Sequence, residues 1–228
     1  MSLYTFKPDR FSSHMKIINY IKSLNNKNKE LKVLDVGCSK GFIAKSLQNN
    51  NFEFYGIEYN KEDAKAAKKY YKDIKIADLD KDGVFYENDF FDVIVMADVI
   101  EHLKSNEIVK KFAQFLKKDG IMIISTGNVA NIYVRLKLLF GNFDYEERGI
   151  MDKTHLRFFT LKTFRKLAMD ANLKIIKEEF TPIPLPMVND AFAEGNSLSF
   201  FHKMSYLSVK ILPKLLSFQF ILYCRKEV

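Results

Sequence analysis

Cysteine is nearly missing from this sequence, and the two that occur, Cys38 and Cys224, stand far apart and without metal-ligand spacing. They indicate neither a disulfide framework nor a zinc site, and they fit a reducing compartment. Long apolar runs are missing as well. None reaches the ~18 residues that a membrane span requires, and the opening MSLYTFKPDRFSSH lacks the unbroken apolar core of a signal peptide. The expectation is a soluble, cytoplasmic protein. Two nucleotide-binding fingerprints are also absent, since Gly37-Cys38-Ser39-Lys40-Gly41 supplies neither G-x-G-x-x-G nor G-x-x-x-x-G-K followed by Ser or Thr. Acidic residues are the scarcer charge. Lys+Arg 36 against Asp+Glu 28 gives +8, a moderate excess that suits an acidic substrate, an anionic membrane surface, nucleic acid or a merely solubilising surface.

What is present is enough for one α/β domain with a full core: 228 residues, 47% of them hydrophobic and 28% charged. The chain is organised around LKVLDVGCSKG, Leu31 to Gly41. Val33, Leu34 and Val36 make a buried strand that stops at Gly37, and a second glycine, Gly41, precedes an apolar-periodic segment. A strand, a tight turn and a helix start leave backbone N–H groups at the mouth of a helix dipole, where an anionic group can settle. Asp35, just before the turn, can hold loop amides or reach a cationic part of a ligand.

The rest of the chain alternates in the same way. Ser12 and Ser13 can cap a helix carrying Ile17, Ile18 and Ile21 up to Leu24, followed by a solvated linker, NNKNKE, from Asn25 to Glu30. After the glycine turn a helix is expected to about Gln48. A second strand runs from Phe52 to Tyr59, a helix from Lys61 to Tyr71, a third strand from Ile74 to Asp78, and a fourth, apolar throughout, from Phe91 to Ala97. Ser105 can cap a helix that runs through Val109, Phe112 and Leu116 to Asp119-Gly120, and Ile121 to Ser125 forms strand five. Helices are expected over Ile132 to Phe140 and from Thr160 through Leu167, strand six over Leu173 to Thr181, and the last strand over Phe218 to Cys224 beside strands five and six. Thr181 to Pro186 reads as an extended connector that excludes regular structure. The fold class is therefore α/β, a doubly wound, mostly parallel seven-stranded sheet with helices on both faces.

In such sheets ligands bind at the carboxyl ends of the strands. Those ends carry Asp35, Glu58, Asp78, Asp98 and Thr126-Gly127-Asn128. Each acid alone suits a solvated turn or a helix cap; four at four successive strand ends indicate a site. Glu58 lies ~20 residues beyond the glycine turn, where a carboxylate accepts hydrogen bonds from ribose hydroxyls.

The ordered set VLDVGCSKG, GIEYN, IADLD and FDVIVMADVIEHL resembles the class I S-adenosylmethionine-dependent methyltransferases over most of the chain. That resemblance implies S-adenosyl-L-methionine as cofactor. It places Asp35, Gly37 and Gly41 around the methionine end, Glu58 at the ribose, and Asp78 with Leu79 at the adenine, with Cys38, Tyr59 and Ala97 as further cofactor-binding candidates. One position departs: Ser39 stands where the family usually has glycine, so a positive φ there would strain it. The stretch FGNFDYEERGIMDKTHLRFFTLKTFRKLAMDANLKI resembles a bacterial subgroup of small-molecule methyltransferases linked to glycan or cell-surface biosynthesis. One methyltransferase domain over 1–228 is implied, with a helix and linker in 1–30 and substrate-side insertions at 129–160 and 182–217.

Methyl transfer from a sulfonium needs alignment of a nucleophile and removal of its proton. Met96-Ala97-Asp98-Val99 stands where base-N methyltransferases carry Asn/Asp-Pro-Pro-Tyr or Phe, so nucleic acid is disfavoured as a partner and O-methylation of a small molecule or glycan precursor is preferred. His102 and His155 are the candidate bases. His102 can equally pack or cap a helix start, and His155, between Lys153 and Arg157, can equally grip an anionic substrate. Tyr145 and Arg148 are further candidates for the pocket wall.

On a helix Asp98, Glu101 and His102 would share one face, and with His155 they resemble the ligand set of metal-dependent RNA-end and ubiquinone-pathway methyltransferases. Glu-His after strand four also occurs where no metal binds, and no metal is assigned. A catalytically silent, cofactor-binding regulatory protein is the non-enzyme alternative. The Phe- and Leu-rich segment 197–217, with Lys203, Lys210 and Lys214, reads as core or pocket wall and also allows a peripheral membrane contact.

Overall fold

A computed structural model describes residues 6, 8–25 and 29–227; part of the expected polar start and part of the Asn25 to Glu30 linker lie outside the described residues. Seven strands form one sheet: β1 (Leu31–Val36), β2 (Phe52–Glu58), β3 (Asp73–Ile76), β4 (Phe91–Ala97), β5 (Leu116–Gly127), β6 (Leu173–Thr181) and β7 (Gln219–Lys226). Their order is β3-β2-β1-β4-β5-β7-β6. The first five are parallel, and β7 enters antiparallel between β5 and β6, beside both as expected.

The continuous apolar runs of β1 and β4 follow from burial on both faces. Val33, Val93, Val95, Ile121, Ile123, Ile221 and Tyr223 face one layer, with α1 (Ser13–Ser23) and α2 (Phe42–Ser46). Their sequence neighbours Leu34, Val36, Ile94, Met96, Met122, Ile124 and Leu222 face the other, with α4 (Glu107–Phe115) and α6 (Leu161–Asp170). Period-two alternation thus builds two cores from one set of strands. The remaining helices are α3 (Lys61–Ala67), α5 (Ile132–Leu139), α7 (Leu185–Val188), α8 (Ser199–Ile211) and α9 (Pro213–Leu216). Among the described residues no helix is long and apolar enough to cross a membrane.

Several expected boundaries move, each for a local reason. Ser12 alone caps α1, accepting from Met15 N–H at 3.2 Å. Helix α2 stops two residues before Gln48. Helix α3 tightens into a 3-10 turn over Lys68–Tyr70. Helix α4 ends at Phe115, short of Asp119, because the fully buried Leu116 pairs with Phe91 and already belongs to the sheet. Lys117 to Gly120 then bulge between that pair and Val93↔Ile121, with Asp119 at φ 64°. β3 ends at Ile76, leaving Asp78 in the following turn. The proline connector is not wholly irregular, since β6 reaches Thr181 and α7 forms with Pro186 in its first turn, where the missing N–H costs no helical bond.

The layer under α6 depends on Phe164, which is fully buried with its ring centroid 6.4 Å from that of Phe220. Phe164→Ala is expected to destabilise the protein by about 3–5 kcal/mol. Phe140→Ala, at the exposed residue just past α5, should stay within about 0.5 kcal/mol. Urea denaturation of the two variants checks the contrast.

Candidate active site

Parallel pairing of β1 with β2 and β4, and of β4 with β5, brings their carboxyl ends to one edge, over a cavity of about 750 Å³. The loop after β1 is bent onto β2: Gly37 N–H and Cys38 N–H both donate to the Ile57 carbonyl, at 2.8 and 3.1 Å. Gly37 has φ +70°, and a Cβ there would meet Val99 Cγ2 at 2.6 Å, so glycine is required by the turn after β4 packing above it. Ser39 sits in the left-handed region at φ 46°, as its departure from glycine anticipated, with its hydroxyl oxygen buried and unpartnered.

Glu58 holds this loop. One carboxylate oxygen accepts from Ser39 N–H at 2.7 Å, and the other accepts from Asn60 N–H at 2.8 Å. Each oxygen keeps a second acceptor site for a ligand hydroxyl. Asp35 is buried and accepts from the Tyr71 hydroxyl at 2.7 Å. Burial pushes its pKa up to about 7, the Tyr71 hydrogen bond opposes the shift and the charge of Glu58 adds to it. The Cys38 thiol is raised by the same burial, next by Asp35, and is unreactive. Asp78 is turned toward its own loop: Lys81 lies 2.8 Å from it and Asp80 N–H donates to it at 3.0 Å, which together lower its pKa.

Asp35, Gly37, Cys38, Glu58, Tyr59, Asp78, Leu79 and Ala97 all line the cavity. Gly41 is not among the lining residues. It caps α2 at φ +77°, where a Cβ would strike the Tyr71 ring at 2.9 Å, so packing and the chain reversal call for glycine there. Asn128 is buried and also turned away from the cavity, donating to the carbonyls of Lys214 and Ser217.

The turn after β4 differs from a helix. Asp98 has φ 55°, and only Ile100–His102 form a 3-10 turn. Both Asp98 oxygens are engaged, one by the Ser125 hydroxyl and one by Gln219 Nε2, each at 2.6 Å. Among the described residues no group of three His, Cys, Asp or Glu side chains gathers at metal-binding range. The Glu101 side chain is buried with one oxygen unpartnered, and burial and then the charge of Asp98 raise its pKa. Its backbone carbonyl accepts from Leu156 N–H and Arg157 N–H at 2.8 and 3.1 Å.

That pair of hydrogen bonds docks the segment carrying His155 against the turn carrying His102, and the two rings meet edge to face at 4.8 Å. Arg157 does not flank the cavity as an anion grip, because its guanidinium donates to the carbonyls of Leu103 and Lys104. Tyr145 stands outside the cavity and Arg148 at its wall.

The tautomers follow from the partners. Asp152 accepts the Thr154 hydroxyl proton at 2.7 Å, so Thr154 presents only lone pairs, from Oγ1 and its carbonyl, to His102 Nδ1 at 3.1 and 3.2 Å. His155 Nδ1 lies 3.1 Å from the Ile150 carbonyl. Carbonyls only accept, so both rings carry hydrogen on Nδ1 and a basic lone pair on Nε2 when neutral. Burial lowers the His155 pKa and the neighbouring His102 lowers it further, which keeps that lone pair available near neutrality. His14, Val99, Thr154 and Gln219 also line the cavity and carry no local signal in the sequence; Gln219 reaches it only through pairing of β7 with Gly127 on β5.

A family model described as "Methyltransferase domain" matches residues 9–178. A ubiquinone biosynthesis O-methyltransferase of Rickettsia typhi is 36% identical over 167 residues, which cover 70% of this chain and 66% of that protein. One of Pelagibacter ubique is 28% identical over 144 residues, covering 56% and 59%. The chain thus spans about half to two thirds of the length of these curated relatives. Among solved structures, a SAM-dependent methyltransferase from Archaeoglobus fulgidus superposes with a TM-score of 0.62 at 16% identity, covering 95% of this chain and 96% of that one. The [4+2]-cyclase SpnF superposes at 0.60 with 14% identity, covering 93% and 81%, so at this distance likeness shows the fold and leaves the reaction open.

Two outcomes test the loop and its acids. Glu58→Ala should weaken S-adenosylmethionine binding by about 1 kcal/mol or more, read by calorimetry, since loop amides and ribose hydroxyls lose a charged acceptor; unchanged affinity removes Glu58 from the site. Native Asp35 keeps its proton up to about pH 7, well above its ordinary value of 3.8. Its contribution to the stability of the ligand-free protein is therefore full below the ordinary value and is lost as pH rises toward 7. The stability of wild type relative to Asp35→Asn should fall between pH 5 and pH 8 by more than about 1 kcal/mol, one pH unit of linkage being ~1.4 kcal/mol. A flat difference shows that Asp35 is ionised in the fold.

Proposed function

The chain belongs to the S-adenosylmethionine-dependent methyltransferases, and from that premise we propose that it O-methylates a small hydroxylated molecule, with His102 and His155 serving the acceptor. The observation that carries the reading is that a single cavity holds both the β1–β2 loop edge and the paired histidines. The cofactor, when bound, supplies a methyl group on a positively charged sulfur that leaves as a neutral thioether. The protein's task is to orient an acceptor oxygen and remove its proton. We assign cofactor contact to Asp35, Gly37, Cys38, Glu58, Tyr59, Asp78, Leu79 and Ala97. Proton removal falls to the Nε2 atoms of the histidines, and burial followed by the neighbouring His102 favours the neutral form of His155.

The curated relatives carry the name ubiquinone biosynthesis O-methyltransferase, which makes a ring hydroxyl of that kind the first acceptor to try. The glycan-associated resemblance of 140–175 keeps sugar hydroxyls in the same panel. We read 1–228 as one domain, with parts of 129–160 and 182–217 on the acceptor side, where Ile150, Thr154, Pro184 and Met187 face the cavity. A cytoplasmic location goes with this reading, both cysteines being buried and unpaired. No metal is included, because among the described residues no three His, Cys, Asp or Glu side chains gather at metal-binding range.

Labelled-methyl transfer to phenol and sugar pools tests the proposal. His102→Ala and His155→Ala should each lower turnover by ~10²–10⁴-fold and leave cofactor affinity nearly intact. Loss of activity on acidification should set in below the ordinary histidine value of about 6.5, because the His155 pKa is lowered and the neutral form is the active one. Turnover should survive EDTA. Full activity in both histidine variants removes the base assignment, and cofactor binding without transfer to any acceptor gives the fold to a regulatory role.

A further inference from the structure

Helix α8 is left over once the cavity is accounted for. Its inner face is occupied: Tyr206 stacks on Phe11 with ring centroids 4.2 Å apart, His202 Nε2 lies 3.1 Å from an Asp9 carboxylate oxygen, and Val209 is buried. Its outer face is not. Phe200, Met204, Leu207 and Ile211 recur at i, i+4, i+7 and i+11 and are 63%, 47%, 51% and 77% exposed. These are the positions of one continuous helical stripe. Lys203 and Lys210 each precede a stripe residue and so run beside it, and no Asp or Glu occurs from 195 to 226.

We propose that this face of α8 docks on an anionic membrane surface, with the helix lying in the plane of the interface, the apolar stripe entering the acyl boundary and the lysines meeting lipid phosphates. A large apolar stripe, flanking lysines and no acid on the same helix are what an interfacial helix requires. The same charges disfavour a second copy of this chain as the occupant, since the segment offers its own lysines no carboxylate in return. The anchored inner face fixes which side is presented.

Position adds a consequence. Helix α8 packs on the 3-10 turn Asp190–Phe192, that turn packs on α7, and Met187 of α7 lines the cavity. Docking therefore holds the α7 side of the cavity near lipid, where an amphiphilic acceptor would enter. That consequence rests on the methyl-transfer reading, whereas the docking does not.

The full chain would be sedimented with phosphatidylcholine vesicles, with and without added phosphatidylglycerol. Binding is expected on the anionic vesicles only, weakening as salt rises. The double variants L207E/I211E and K203E/K210E should each lower the partition coefficient about tenfold or more. Far-UV circular dichroism and cofactor calorimetry should stay at wild-type values. Absence of binding to anionic vesicles overturns the proposal, as does equal partition of wild type and either variant. So does a wild-type dimer that L207E/I211E disperses without any vesicle binding. Failure of the methyl-transfer reading would show in the labelled-methyl assay, which leaves the sedimentation result untouched.

Discussion

Glu58 is the constraint from which the β1–β2 end of the cavity follows. Its two carboxylate oxygens join the loop after β1, through Ser39 N–H, to the turn after β2, through Asn60 N–H. Because Asn60 also caps α3, accepting from Glu62 and Asp63 N–H, the same residue pair sets where that helix starts. A charged acceptor shared by two loops is a stronger tie than two neutral turns would make. It also compensates for a left-handed serine: the backbone cost at Ser39 is of the order of 1 kcal/mol, and the loop holds because the carboxylate fixes the amide of that very residue.

At the opposite end the tie is a backbone atom. The Glu101 carbonyl accepts two N–H groups from the 129–160 insertion, and Arg157 adds its guanidinium to the next carbonyls along. The histidines are neighbours because of these bonds, not through any attraction between imidazoles, which in their charged forms repel. Asp152 acts at one remove, fixing Thr154 so that His102 has only acceptors at Nδ1. A carboxylate, a hydroxyl and a carbonyl thereby decide which nitrogen of His102 is basic, and the Ile150 carbonyl decides it for His155.

The sheet was legible in the sequence because strands buried on both faces leave unmistakable apolar runs, and Phe91 to Ala97 has the same bounds in sequence and structure. The four acids at strand ends were legible for a similar reason: parallel register fixes the edge at which they emerge. What could not be read was set across long separations. Asn128 has the look of a strand-end ligand group, yet its amide is taken by carbonyls 86 and 89 residues away. Gly41 has the look of a loop glycine facing a ligand, and the structure places it against the ring of Tyr71, outside the cavity lining. Asp98 would share a helical face with His102 only if the turn were helical; the Ser125 and Gln219 hydrogen bonds hold it in a left-handed conformation instead.

The antiparallel insertion of β7 has a consequence for how the molecule comes together. Among the described residues β6 pairs with no strand but β7, which separates it from β5, so during synthesis β6 emerges about forty residues before the strand that will receive it. Until then the edge of β5 is open, Glu179 lacks the Tyr223 hydroxyl, and Asp98 lacks Gln219. Contacts of that sequence separation are formed late, and an open strand edge is a place where a nascent chain can pair with the wrong neighbour. Completion of the cavity edge near Asp98 thus waits on β7, and a partly made chain has the β1–β2 loop edge before it has the Gln219 wall.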